Sequence, residues 1–289
     1  MKRIAILGCE NSHANAFLKF IREREEFSDV EVVGVYSDQR EAAEKLNQQF
    51  GVPILADYAD AVGGLDGLII TARHGDNHYK YAKPYIDSGI PLFIDKPITV
   101  SEEEAVDFMR RLKEKNTPIS GGSSLKQDIF VKQLKQAAEN RVGGVTLGGL
   151  VRAPYQRENP YGGFYFYAQH LVEMVCEIFG RFPLAVTAKE NGGQIHVLFH
   201  YEDYDCVGLF CDNNYYYYAS RMAESDVQSF VIPSTEDWFC EEFKEFYGIL
   251  SGEPRTVTYE EFISPVFIMN AIQRALVSGT EEAVGRVKL

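Results

Sequence analysis

No apolar run in this chain approaches the ~20 residues that span a bilayer, so no membrane partner is expected. Cysteine is scarce and unpaired: Cys9, Cys176, Cys206, Cys211 and Cys240 are an odd number without C-x-x-C spacing. That argues against a disulfide framework and for a reducing, cytoplasmic setting. Positive charge is in deficit, with 29 Lys and Arg against 42 Asp and Glu and a net of −13. No basic stripe offsets that balance, so nucleic acid is not an expected partner. Internal repeats and low-complexity linkers are missing as well. The opening MKRIAILG sets a basic pair before a short apolar run, but a glycine turn follows and no small-residue cleavage site does. It reads as a first strand rather than a secretory leader.

At 289 residues the chain exceeds what one core usually supports, and two domains are expected. Its first part alternates strand-like segments (3–8, 30–37, 67–71, 91–95, 118–120) with helix-like ones (14–24, 40–50, 78–88, 101–116). Gly51 suits the left-handed position that ends a helix, and Ser101 with Glu104 forms a capping-box pattern. This rhythm implies a parallel sheet with right-handed crossovers and helices on both faces. After about residue 123 the strand candidates become consecutive (145–153, 185–190, 194–202, 206–212, 214–222), which suggests one antiparallel sheet. Helices are expected at 126–139, 169–179, 237–250 and 262–277. The fold class is therefore α/β: a doubly wound parallel sheet over 1–122, then an α+β domain with a mostly antiparallel open sheet over 123–289, divided at the Gly121-Gly122 turn.

Candidate site residues cluster where strands end. GCENSHA (8–14) lies between the first strand and helix, where a Rossmann fold places its phosphate loop. Gly8 permits the tight turn, and amides around Cys9, Glu10, Asn11, Ser12 and His13 can face a pyrophosphate at the helix N-terminus. Glu10 and His13 stand where the second and third glycines of G-x-G-x-x-G are usual, and Asn11 and Ser12 can equally be helix caps. At the end of the second strand, Ser37 and Asp38 occupy the place of the acid that accepts ribose hydroxyls. Asp38 would repel a 2′-phosphate and Arg40 attract one, so NAD is the expected cofactor with NADP as the alternative. TARHGDNH (71–78) follows the strand at 67–71 and offers Thr71, Ala72, Arg73 and His78 to a ligand. The bland reading of its histidines is a cap or a solvated side chain.

FIDKPIT (93–99) ends an apolar strand with Asp95, Lys96 and Pro97. A lysine there can donate to a substrate oxygen, and desolvation can tune it. Pro97 fixes the exit from the sheet, a cis bond being one way. Further on, Leu171, Met174, Val175, Ile178 and Phe179 form a core stripe, with His170, Glu173 and Glu177 on the other side. His196, His200 and Glu202 share one strand face. Zinc ligation there, or a metal on His170 and Glu173, is less expected than hydrogen bonding or sheet pairing, and no metal is assigned. Tyr215 to Tyr218 read as ordinary strand aromatics.

The order GCENSHA, βα repeat, TARHGDNH, DKP, then PYGGFYFYAQHLVEMVCEIFG (160–180) and EEFKEFYGILSGEP (241–254) resembles the Gfo/Idh/MocA oxidoreductases across nearly the whole chain. The resemblance implies that Lys96 contacts nicotinamide and substrate, with Asp95 in place of the family's glutamate. It implies that His170 exchanges the hydroxyl proton during hydride transfer, and that homodimers or homotetramers form through the C-terminal sheet. Ser123, Lys126, Tyr165 and Tyr167 join Lys96 and His170 as expected substrate contacts. Many members carry an aspartate four residues before the histidine; here it is Phe166. The leading expectation is an NAD(P)-dependent dehydrogenase of a sugar, polyol or related small substrate. The alternatives are a cofactor-binding regulator with reduced catalysis, or a biliverdin- or dipicolinate-type reductase sharing only the Rossmann half.

Overall fold

A computed structural model describes residues 1–235, 237–286 and 289. Its first sheet is built from β1 (Lys2–Leu7), β2 (Val30–Tyr36), β3 (Gly67–Ile70), β4 (Leu92–Asp95) and β5 (Ile119–Gly122). They run parallel in the order β2-β1-β3-β4-β5. A single parallel bridge between Val35 and Ile54 adds the trace of a further strand beyond β2. The helices are α1 (Ser12–Glu23), α2 (Arg40–Phe50), α3 (Asp76–Ala82) and α4 (Glu102–Glu114). Side chains alternate across a strand. Ile4 and Ile6 therefore pack with Phe17 and Leu18 of α1 and Leu46 of α2. Ala5 and Leu7 pack with Tyr79 of α3 and Phe108 of α4 on the opposite face. Coverage of both faces explains the unbroken apolar runs of these strands.

The expected single helix over 78–88 is instead α3 followed by a 3-10 segment, Lys83–Ser88, that contains Pro84, which has no N–H to give. Ser101 caps α4 by accepting from Glu104 N at 3.3 Å, while its hydroxyl donates to Glu103 rather than Glu104.

The second sheet follows α5 (Ile129–Glu139) and comprises β6 (Thr146–Tyr155), β7 (Ala185–Asn191), β8 (Gln194–His200), β9 (Asp205–Asp212), β10 (Tyr217–Ala223), β11 (Val227–Ile232) and, after the last helices, β12 (Glu282–Ala283). Helices α6 (Tyr165–Phe179), α7 (Asp237–Leu250) and α8 (Tyr259–Ser278) complete the order. The seven strands lie β11-β10-β6-β9-β8-β7-β12. The sheet is mostly antiparallel, as expected, with one parallel pair: the crossover through α6, β7 and β8 brings β9 parallel to β6. β11 was not expected; it lies at the sheet edge, exposed or half-buried up to the buried Ile232. α6 starts four residues before the expected 169, at Tyr165. Helices α5, α6 and α8 cover one face; Leu147, Met222, Val227 and Val231 remain exposed on this sheet.

α7 returns to the first sheet. Its Phe243 and Phe246 are fully buried among Ile4, Phe17, Phe27 and Phe93. Burying each ring contributes about 1.5–3 kcal/mol. This packing fixes the start of α7, and with it Trp238 and Phe239, beside the ends of β1 and β4. Among the described residues no helix is long and apolar enough to cross a membrane.

Candidate active site

The ends of β1, β3 and β4 and the first turns of α6 and α7 enclose a cavity of about 370 Å³. It adjoins a hollow of about 630 Å³ beside α1 and α2, with Asn11, Ser12, Arg73 and Phe239 in both walls. Both volumes lie in the usual range for ligand sites, ~300–1,000 Å³.

Lys96 leaves β4 through a cis peptide to Pro97 and is 5% exposed. Its Nζ donates to Phe166 O at 3.3 Å and lies 4.5 Å from the centre of the Phe166 ring. Burial lowers its pKa, against the opposing pull of Asp95 and Glu242. His170 lines the same cavity from α6. Its Nδ1 is 2.6 Å from Ser123 Oγ, so Nε2 is the nitrogen left for a ligand. Burial drives the His170 pKa well below its ordinary value, with the Lys96 charge adding to the effect, and the imidazole is neutral near pH 7. Ser123 is wholly buried and also accepts from Leu125 N at 3.3 Å. Its hydroxyl can serve either tautomer, donating to a bare Nδ1 or accepting from Nδ1–H.

Beneath Lys96 lies a buried chain of polar groups. Asp95 accepts from Asn11 Nδ2 at 2.7 Å and from Lys96 N at 2.7 Å. His13 Nδ1 is 3.4 Å from Asp95 Oδ2, and its Nε2 is 3.1 Å from Glu242 Oε2 on α7. Desolvation raises both carboxyl pKa values and lowers that of His13. The raised Glu242 carboxyl keeps a proton that it donates to His13 Nε2, and Nδ1 faces Asp95.

The phosphate-loop region departs from the glycine-rich pattern without closing the crevice. Gly8 sits at φ +77°, and a Cβ on it would lie 2.3 Å from Ala72 N. Glu10 spends both oxygens on the frame, accepting from Ser37 Oγ at 2.7 Å and Arg73 N at 2.9 Å. Asn11, the N-cap of α1, gives its side chain to Asp95 and makes no capping bond, and no acid lies in the first turn. The first amides of α1 are thus left without side-chain partners, which suits an anion. Asp38 accepts from Tyr36 Oη at 2.7 Å at the end of β2. These residues fit a dinucleotide.

Of the expected contacts, Asn11, Ser12, His13, Arg73, Lys96, Tyr167 and His170 line the 370 Å³ cavity, and Cys9 and Glu10 line the adjoining hollow. Others turn out to be framework. His78 is wholly buried, with Nε2 2.8 Å from Ala72 O and Nδ1 3.3 Å from Ile98 O, and desolvation lowers its pKa to about 4. It ties two strand ends together, with both ring nitrogens turned to backbone carbonyls. Thr71 and Ala72 are wholly buried, Thr71 Oγ1 donating to Gly8 O. Asp95 is wholly buried under Lys96, and the buried Pro97 packs close to Gly75. Lys126 points away from His170: its ammonium bonds Gly121 O and pairs with Glu245 at 3.5 Å, in a separate hollow. Tyr165 bonds Asn270 on α8 at 3.0 Å. Helical geometry explains the last correction, since Tyr165 and Tyr167 lie on different sides of α6.

The cavity also uses Ser124, within the stretch 123–126 expected to shape the pocket, and Tyr217, Ser234, Thr235, Trp238 and Phe239, none of these five proposed from sequence as a site residue. The single tryptophan was the one compositional hint. Tyr217, expected as plain strand filling, faces Trp238 edge-on at 6.0 Å. Glu173 and Glu177 are paired with Arg181, and Lys135 bonds Glu177 as well. His200 is 3.0 Å from Asp205, and among the described residues no group of three His, Cys, Asp or Glu could hold a metal ion.

Comparison with known proteins agrees with this geometry. Residues 2–123 match the model described as the oxidoreductase family with an NAD-binding Rossmann fold, GFO_IDH_MocA. A 126-residue segment is 24% identical to the uncharacterized oxidoreductase YhhX of Escherichia coli strain K12, spanning 39% of this chain and only 35% of that protein. The fold as a whole is similar to that of a myo-inositol dehydrogenase from Corynebacterium glutamicum, with a TM-score of 0.84, 15% identity and coverage of 99% and 100% of the two chains. It is also similar to scyllo-inositol dehydrogenase from Lactobacillus casei with bound NAD(H) and scyllo-inositol, with a TM-score of 0.83, 14% identity and coverage of 98% and 99%.

Proposed function

We propose, from the premise that residues 2–123 are the NAD-binding Rossmann domain of the Gfo/Idh/MocA oxidoreductase family, that the chain is an NAD-dependent dehydrogenase acting on the CH–OH group of a small polyhydroxylated substrate. The observation that carries the reading is the shared cavity: the Lys96 ammonium and the His170 imidazole face one space at the carboxyl edge of a parallel sheet. The backbone at Asn11, Ser12 and His13 would hold the pyrophosphate, Ser37 and Asp38 the adenosine ribose, and Lys96 the nicotinamide end. When bound, the nicotinamide supplies the hydride acceptor or donor.

The protein's own part is proton handling and alignment. Lys96 donates a hydrogen bond to the reacting oxygen, and its burial strengthens that bond by excluding water. His170 exchanges the hydroxyl proton at Nε2, while Ser123 fixes the ring through Nδ1. Such positioned acid–base catalysis contributes about 10²–10⁴-fold. Residues 1–122 form the cofactor domain and 123–289 the substrate domain, with α7 reaching back to close the cavity. The exposed Leu147, Met222, Val227 and Val231 support pairing of copies through the second sheet, and five buried free cysteines suit a cytoplasmic location.

The test is a fluorescence titration with NADH and NADPH, followed by a panel of polyols and sugars with NAD⁺ monitored at the reduced cofactor's absorbance. Lys96→Ala is expected to abolish turnover while leaving the fold intact; turnover that survives overturns the assignment. Phe166 in place of an acid favours one second reading, a cofactor-binding regulator, for which NADH would bind but no panel member would turn over.

A further inference from the structure

Arg73 and Lys96 both line the 370 Å³ cavity, and among the described residues no Asp or Glu lines it. That is unexpected for a chain of net charge −13. The Arg73 guanidinium makes no ion pair among the described residues. It lies 5.2 Å from the centre of the Tyr161 ring, with Nη1 3.5 Å from that phenol oxygen. Among the described residues Lys96 Nζ has only the Phe166 carbonyl within hydrogen-bond reach, while Asp95 and Glu242 act on it through space. The nearby carboxylates are committed elsewhere: Asp95 to Asn11 and Lys96 N, Glu242 to His13, and Glu10 to Ser37 and the Arg73 backbone. Two cations therefore share one crevice and repel each other, Arg73 being among the charges that lower the proton affinity of Lys96.

We infer that the substrate brings the missing anion: it is a hydroxy acid of the sugar-acid class, whose carboxylate is held by Arg73 while the reacting hydroxyl lies between Lys96 and His170. This rests on the dehydrogenase reading above and narrows its substrate. A neutral polyol presents hydroxyls to Arg and Lys groups that only donate, and the position where an acceptor aspartate is usual is the apolar Phe166. A carboxylate instead forms a charge-assisted, bidentate contact with a guanidinium, a stronger and more directional bond than a neutral pair gives. The rings of Phe166, Tyr167, Tyr217 and Trp238 offer flat walls to the C–H faces of such a molecule. The carboxylate takes no part in the bond changes; it sets the register of the carbon that does. The same guanidinium could be answered instead by a phosphate of the dinucleotide, and the test separates these sources.

The experiment pairs acids with their neutral counterparts, gluconate and glucuronate against glucose, and an inositol alongside. Saturation-transfer NMR is recorded on the full chain with NADH present, and turnover with NAD⁺ is followed in parallel. Acids are expected to exceed their neutral partners in kcat/KM by about 10²-fold or more, as befits a site built around a polar partner that the analogue lacks. In Arg73→Gln that preference should fall at least tenfold, mainly through KM, with Arg73→Lys recovering part of it and the NADH Kd staying within twofold. Preferred turnover of the neutral compounds would overturn the inference and leave the dehydrogenase reading standing. A large loss of NADH affinity in Arg73→Gln with an unchanged acid preference would assign the guanidinium to the cofactor and overturn it too. A chain that binds neither nucleotide would end both.

Discussion

Replacing Glu242 with glutamine tests the electrostatics beneath Lys96. The Glu242 side chain is fully buried, its Oε2 is 3.1 Å from His13 Nε2, and its Oε1 has no partner. Desolvation holds its pKa well above the ordinary 4.5, with Glu245 and Glu173 adding to the rise and Lys126 and Lys96 opposing it. The folded protein thus keeps a proton that the unfolded chain releases above about pH 4.5. Between those two pKa values the unfolded state binds fewer protons, so this group's contribution is complete at low pH and is lost as pH rises. The limiting slope for one proton is about 1.4 kcal/mol per pH unit. Glutamine has the same shape, offers an N–H to His13 and does not titrate. The variant should therefore match the parent near pH 4.5 and gain on it by up to that slope as pH rises, until the folded pKa is passed. At roughly 2 °C per kcal/mol for a chain of this size, each pH unit below the folded pKa adds about 3 °C to the gain. Asp95, His13, His78 and His170 titrate in both proteins, and to first order their contributions cancel in the difference. Thermal unfolding followed by circular dichroism in half-unit pH steps gives the answer. Parallel Tm curves, or a variant weaker at every pH, would refute a neutral Glu242.

Three further outcomes follow from the same geometry. Gly8→Ala places a Cβ 2.3 Å from Ala72 N in a left-handed turn; backbone strain of about 1–2 kcal/mol and overpacking of about 1–3 kcal/mol should lower urea stability by roughly 2–5 kcal/mol and weaken NADH binding, and a neutral substitution would contradict the turn. Ser123→Ala removes the anchor of His170 Nδ1, so kcat should fall about tenfold with KM little changed, and Ser123→Thr should restore much of it; this is a positioning effect within the range for acid–base catalysis. Asp38→Ser should narrow any preference for NAD over NADP in paired titrations, because a carboxylate that repels a 2′-phosphate is gone; an unchanged ratio would show that Asp38 does not read the ribose.

Much of the first sheet was legible because local signals agree with the global fold. Apolar runs bounded by Gly8, Gly51 and Ser101 mark strands and helix ends directly, and the motif order singled out Lys96 and His170, which line one cavity. The details of the cavity were not. His78 looked like a ligand because a histidine after a strand has no sequence mark of burial; only packing shows both ring nitrogens turned to carbonyls. Lys126 was expected as a substrate contact, yet from the 3-10 segment Ser124–Gln127 it reaches Gly121 O and Glu245 instead. The chain from Asp95 through His13 to Glu242 joins residues 229 positions apart, beyond any local pattern.

The residue order alone determined that strands and helices alternate and that a tight glycine turn starts the first helix, because those features depend on backbone freedom and hydrophobic period within a few neighbours. Tertiary structure decided which charges meet. α7 comes back onto the first sheet, buries Glu242 against His13, and brings Trp238 into the cavity that Lys96 lines. It is burial, which no sequence period records, that places Lys96 and Arg73 in one crevice whose lining, among the described residues, holds no carboxylate.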